Sequence, residues 1–108
     1  QLLSRQERPD AIFGITDDLA IGAIEAIKEK GLNIPEDIAV VGFSNTKRSR
    51  YMNPTVSSIN QFPEKIGRAA AELLFDQILN SKHAQIKKEI INCELIVRES
   101  SDRLCKTR

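Results

Sequence analysis

No apolar run in this chain approaches the about 18 residues that a membrane-crossing helix needs, so a helical membrane span is excluded. Cysteine is scarce. Cys93 and Cys105 make no disulfide framework, and no Cys-x-x-Cys or Cys/His cluster exists to hold zinc, which points to reduced thiols in a cytoplasmic protein. Histidine occurs once, at His83, in a polar connection without a partner motif, and reads as a surface residue. A nucleophile elbow, a metal set and a glycine-rich phosphate loop are all missing, which argues against an enzyme and against a bound cofactor. Charge of one sign is not in excess: 16 Lys and Arg against 15 Asp and Glu leave a net charge of +1. That balance gives no electrostatic footprint for nucleic acid or a membrane surface, so any DNA contact is expected from residues outside this chain. The opening Gln1-Leu2-Leu3-Ser4-Arg5 has neither an initiator Met nor a signal-peptide apolar core, and the chain reads as a piece of something larger.

What remains is an ordinary globular composition, 41% hydrophobic and 29% charged, in 108 residues. Such a length suits one small domain that buries roughly 60–70% of its unfolded surface. Residues 1–8 read as the tail of a helix, and Pro9-Asp10 precedes a strand at 11–15. Thr16 is a good N-cap, with Asp17 and Asp18 in the first turn of a helix whose Leu19, Ala20, Ala23, Ile24 and Ile27 recur at helical spacing. Gly31 supplies the stop. A nearly all-apolar strand at 38–43 suits a position buried on both faces of a parallel sheet. Residues 44–55 read as a loop or short helical turn, and 56–60 as a strand. Pro63 opens a helix to about Leu79 with Ile66, Ala69, Ala70, Leu73, Leu74 and Ile78 inward. A last strand is expected at 89–98. The alternation predicts an α/β fold with a three-layer open parallel sheet.

Thr16-Asp17, Ser44-Asn45 and Gln61 each stand where an apolar run ends. In open α/β sheets ligands bind beyond the carboxyl ends of the strands, so these residues read as one wall of a binding cleft.

Four blocks, Arg8-Pro9-Asp10-Ala11-Ile12-Phe13, Thr16-Asp17-Asp18-Leu19-Ala20-Ile21-Gly22-Ala23, Ile34-Pro35-Glu36-Asp37-Ile38-Ala39-Val40-Val41-Gly42-Phe43 and Glu94-Leu95-Ile96-Val97-Arg98-Glu99-Ser100-Ser101, resemble the C-terminal third of LacI/GalR-family transcription regulators in order and spacing. The resemblance implies a fragment of a two-lobed, type I periplasmic-binding-protein-like domain. Residues 8–60 would belong to the C-terminal lobe, 61–87 to an N-terminal-lobe helix segment and 88–101 to a return strand, with 102–108 a loose tail. It implies a sugar-like effector bound between lobes, a homodimer, and operator DNA read by a headpiece for which this chain has no room. The other reading is a fragment of a periplasmic sugar-binding receptor. A piece split across two lobes exposes apolar faces, so self-association of the isolated chain is expected.

For each candidate two readings stand. Thr16 is a ligand hydroxyl or a plain cap, and Asp17 a ligand carboxylate or dipole compensation. Ser44 and Asn45 are ligand contacts or turn formers, and Gln61 is a ligand or hinge residue or a satisfied loop group. Family members commonly carry Asn-Asp where this chain has Thr16-Asp17, and Asp where it has Ser44, which implies a different hydroxyl pattern in the ligand. By the same resemblance Ile21, Glu25 and Lys28 on the exposed side of the helix at 17–30, with Tyr51, match a dimer face. Lys47, Arg48 and Arg50 read as a solvated basic loop near it.

Overall fold

The computed structural model describes residues 2–82 and 85–104. His83 and Cys105, both read above, lie outside them. The described chain forms two compact units that divide between Asn60 and Gln61 and again between Cys93 and Glu94.

The first unit carries a sheet in the order β1 (Ala11–Phe13), β2 (Ala39–Phe43), β3 (Ser57–Asn60), β4 (Glu94–Ile96), with helices α1 (Asp17–Glu29) and α2 (Lys47–Tyr51). A 3-10 turn at Leu2–Ser4 stands where a helix tail was expected. The first three strands are parallel, as expected of an open parallel sheet, and β4 at the edge departs from this by running antiparallel to β3. The expected ten-residue last strand shrinks to three residues because its partner β3 offers only four. Residues 85–93 have no regular structure.

The core forms where two periodicities meet. Ala20, Ile21, Ile24 and Ile27 recur at helical spacing along α1, and their stripe packs with Ile38, Val40 and Val56 in one fully enclosed cluster. Each large side chain so enclosed contributes about 1.5–3 kcal/mol. On the opposite sheet face, the row Phe43, Ile59, Leu95 is only partly covered, and Phe13 and Leu95 stay 56% and 54% exposed. Within the first unit α1 supplies the helix layer that packs on the sheet.

Gly14 lies between the end of β1 and the first turn of α1, where a Cβ would sit 2.6 Å from the Ala20 nitrogen. Only a residue without a side chain lets the strand turn so closely into the helix. Of the expected loose tail, Arg103 is anchored: its Nε donates to the Pro35 carbonyl at 2.9 Å and its Nη2 to the Asp10 carbonyl at 2.8 Å.

The second unit, Gln61–Cys93, is built on α3 (Pro63–Leu79). Phe62 holds a left-handed conformation (φ 55°) just before it, and the Lys65 ammonium lies 4.5 Å from the Phe62 ring centroid. The helix buries no residue. Its expected inner face has nothing to bury against in a unit of one helix and an irregular segment, and Ile78 is 61% exposed. Among the described residues no helix is long and apolar enough to cross a membrane.

Candidate functional site

Polar residues stand just beyond the parallel strands of the first unit, Thr16 after β1 and Ser44 after β2, while β3 ends in Asn60, and the turns after β1 and β2 are tied together by part-buried hydrogen bonds. At the end of β1 the Thr16 hydroxyl accepts from the Leu19 amide at 3.3 Å, which caps α1 by supplying an acceptor to an otherwise unpaired first-turn N–H. Asp17 follows, fully buried. Its Oδ2 accepts from the Thr46 amide at 2.6 Å and the Thr46 hydroxyl at 2.9 Å, and its Oδ1 from the Ser58 hydroxyl at 2.5 Å. A carboxylate out of water needs such donors. One side chain thereby joins α1, the β2–α2 turn and β3. Gly42 makes room for it, since a Cβ there would collide with the Asp17 carboxylate.

The turn after β2 carries the strained backbone of the site. Ser44 and Asn45 both have positive φ, 105° and 49°. Asn tolerates that region, whereas Ser at such an angle is a costly conformer that persists only where its surroundings enforce it. They do. The Ser44 amide donates to the Ile59 carbonyl at 3.0 Å and the Asn45 amide to the Ser58 hydroxyl at 2.9 Å. The Asn45 Oδ1 accepts from Arg98 Nη2 at 2.6 Å. Arg98 Nη1 also donates to the Val56 carbonyl at 2.7 Å. Burial weakens this guanidinium's hold on its proton, with Arg50 adding to the effect and Asp17 opposing it. Below it, residues 98–101 are stitched to β2 and β3: the Ser100 hydroxyl donates to the Val40 carbonyl at 2.6 Å and accepts from the Ser57 amide at 2.8 Å.

The structure thus brings Thr16, Asp17, Ser44 and Asn45 to one edge of the first unit, while Gln61 opens the second. Thr46, Ser58 and Arg98 complete the network, and the sequence reading did not single them out. Arg98 alone left a signal, a cation directly after the apolar run Leu95-Ile96-Val97.

One residue expected on a dimer face is placed elsewhere. Ile21 is 2% exposed and packs in the core, because it shares the apolar stripe of Ala20 and Ile24. Glu25 and Lys28 are exposed, the Lys28 ammonium donating to the Asn53 carbonyl, and Tyr51 is 86% exposed. Lys47, Arg48 and Arg50 stand in solvent on α2, with Arg48 3.6 Å from Asp18 in an exposed pair of little energetic weight. Cys93 is exposed and free. Among the described residues no cluster of three or more His, Cys, Asp or Glu could hold a metal ion. A depression of about 490 Å³ lies at the far end of α1, lined by Lys28, Pro35, Pro54, Glu99 and Asp102, away from the strand ends.

Comparison with known proteins adds the following. A family model of the periplasmic binding protein-like domain matches residues 1–101. The chain is 39% identical over 102 residues to the HTH-type transcriptional repressor PurR of Mannheimia succiniciproducens, covering 93% of this chain and 30% of that protein. It is similar to the transcriptional regulator CelR in its cellobiose complex, at 33% identity and a TM-score of 0.79 over 85% of this chain and 28% of that one. It is also similar to a LacI family transcriptional regulator from Enterococcus faecium with bound ribose, at 27% identity and a TM-score of 0.79 over 95% and 37% of the two chains. The chain spans about a third of the length of these relatives.

Proposed function

The chain belongs to the periplasmic binding protein-like domain family, and from that premise we propose that it is the effector-binding part of a LacI-type transcription regulator. The effector is a small neutral polyol of the sugar class. The observation that carries this reading is the β2–α2 turn, where Ser44 is held at positive φ by the bond its amide donates to the Ile59 carbonyl and by the ties of its neighbours Asn45 and Thr46 to Arg98 and Asp17. Strained backbone enforced by its surroundings concentrates at ligand sites. Relatives with this fold carry cellobiose and ribose.

In this reading Ser44 and Thr16 offer hydroxyls to the ligand, each able to donate and accept, which suits a sugar's own hydroxyls. Asp17 and Asn45 act through the turn they hold. Gln61, where the chain crosses into the second unit, serves as the hinge residue or a further contact. A ligand that binds one conformation better shifts the population toward it by that difference in affinity, which is the physical content of an effector. Glu25, Lys28 and Tyr51 form part of a homodimer face, and operator DNA is contacted by the rest of such a regulator.

Gel retardation tests the regulatory half. The full-length gene product should retard DNA from upstream of its own gene, and one of a panel of sugars should change the retarded fraction. A protein that retards none of that DNA, with or without sugars, goes against the reading and favours a solute receptor.

A further inference from the structure

The β2–α2 turn needs an explanation that its own sequence does not supply. Ser44 and Asn45 contain no glycine, yet both take positive φ, and their amides are spent on β3. Backbone bonds fix where the turn begins, and Asp17 fixes where it ends through the Thr46 amide and hydroxyl. Between these anchors, the Asn45 Oδ1 is held by a residue 53 positions away, Arg98. The guanidinium spans three acceptors on three segments: Asn45 Oδ1 in the turn at 2.6 Å, the Val56 carbonyl just ahead of β3 at 2.7 Å and, at the long limit of 3.5 Å, the Ser49 Oγ in α2. Ser49 lies fully buried in α2, and its own hydroxyl donates back to the Thr46 carbonyl at 2.6 Å. The planar fork of arginine makes such a span possible, because its donors are fixed relative to one another, whereas an ammonium offers a single point.

Arg98 is itself immobilised. Its amide donates to the Ser57 hydroxyl at 2.7 Å, and its carbonyl accepts from that hydroxyl at 3.0 Å. Its carbonyl also receives the Ser101 and Asp102 amides. A cation pinned at its backbone and forked at its tip is a rigid strut.

We infer that Arg98 is a positioning residue for the effector edge: it fixes the direction in which Ser44 and Asn45 present their polar groups and so sets which ligand hydroxyl pattern the edge accepts. The inference rests on the reading of that edge as the effector site, and it touches no ligand itself. Arg98→Met keeps the length of the side chain and removes all its donors. Arg98→Lys keeps the charge and one donor position. Asn45→Ala removes the acceptor.

The test is amide hydrogen exchange on the full-length gene product, together with calorimetric titration of ribose and cellobiose. The strut predicts that Arg98→Met speeds exchange across 44–49 tenfold or more while 39–43 exchanges as in the wild type. Arg98→Lys falls between the two. Asn45→Ala loosens the turn in the same way, and the double variant adds nothing to Arg98→Met, because that variant has already lost the Arg98–Asn45 bond. Exchange at 44–49 equal to wild type in Arg98→Met overturns the inference. So does loosening of the whole sheet in step with the turn in both Arg98→Met and Asn45→Ala, since Arg98 would then act only as a fold element. If the turn loosens as predicted and the wild type binds neither sugar, the strut stands, and it is the choice of these sugars as effector class that fails.

Discussion

Asp17 shows how one side chain can look like a ligand residue in the sequence and work as a tie in the fold. Two acidic residues at a helix start invite a dipole argument, but only Asp17 is enclosed, with three donors from Thr46 and Ser58 on its two oxygens. Removing a charged acceptor from buried donors costs more than removing a cap. Asp17→Ala is therefore predicted to lose about 2–4 kcal/mol in urea unfolding, against about 1 kcal/mol for Thr16→Ala. Equal losses would mean that the carboxylate network contributes nothing beyond the cap. Asp76 offers a cleaner electrostatic case. Its carboxyl is held below the ordinary aspartate value, first by the hydrogen bond from Lys87 and then by that from Asn80. A carboxyl lowered on folding favours the folded state above its unfolded value, and that contribution is lost as pH falls through the folded value. Lys87→Gln should move the Asp76 midpoint, read by NMR, back toward the ordinary value. An unmoved midpoint removes Lys87 as the cause.

At the scale of elements, periodicity and the parallel pairing of β1, β2 and β3 read well, and the pairing of β4 did not. Helix α1 and helix α3 were legible because apolar residues three and four apart, a cap and an N1 proline all agree. The direction and length of β4 were not, since an apolar run carries no record of the strand it will meet. The network at the site was equally silent: Thr46, Ser58 and Arg98 are 12 to 52 residues apart, and only the sheet register, parallel between β2 and β3 and antiparallel between β3 and β4, gathers them. Ile21 was misplaced because a helix face was assigned by resemblance, although the residue sits beside Ala20 on the apolar stripe. Two glycines test the packing directly. Gly42→Ala drives a methyl into the Asp17 carboxylate and should destabilise the chain, whereas a Cβ at Gly22 in α1 meets nothing. Gly22→Ala should therefore stabilise it by up to about 1 kcal/mol, the ordinary helix-propensity gain. Chemical denaturation of both variants decides the point, and a stabilising Gly42→Ala would contradict the close approach.

For the molecule as a whole, stability is unevenly placed. The enclosed core lies entirely in the first unit, and α3 buries nothing. A helix of this length without tertiary burial is marginal in water. Amides of α3 in the 108-residue chain are predicted to exchange close to the unprotected rate while those of β2 are strongly protected. Protection of α3 that rises with protein concentration would instead show self-association through its exposed Ile66, Leu74, Phe75 and Ile78.

The account turns on whether the strand-end edge of the first unit receives a ligand. A thermal-shift screen of sugars and nucleosides on the full-length gene product, run beside Ser44→Ala and the distant, exposed control Glu29→Ala, tests this most directly. The account predicts stabilisation by a neutral polyhydroxylated compound that persists in Glu29→Ala and falls sharply in Ser44→Ala, as loss of one or two hydroxyl hydrogen bonds lowers affinity by roughly tenfold. Stabilisation of the same size in Ser44→Ala as in the wild type would place the ligand elsewhere and contradict it.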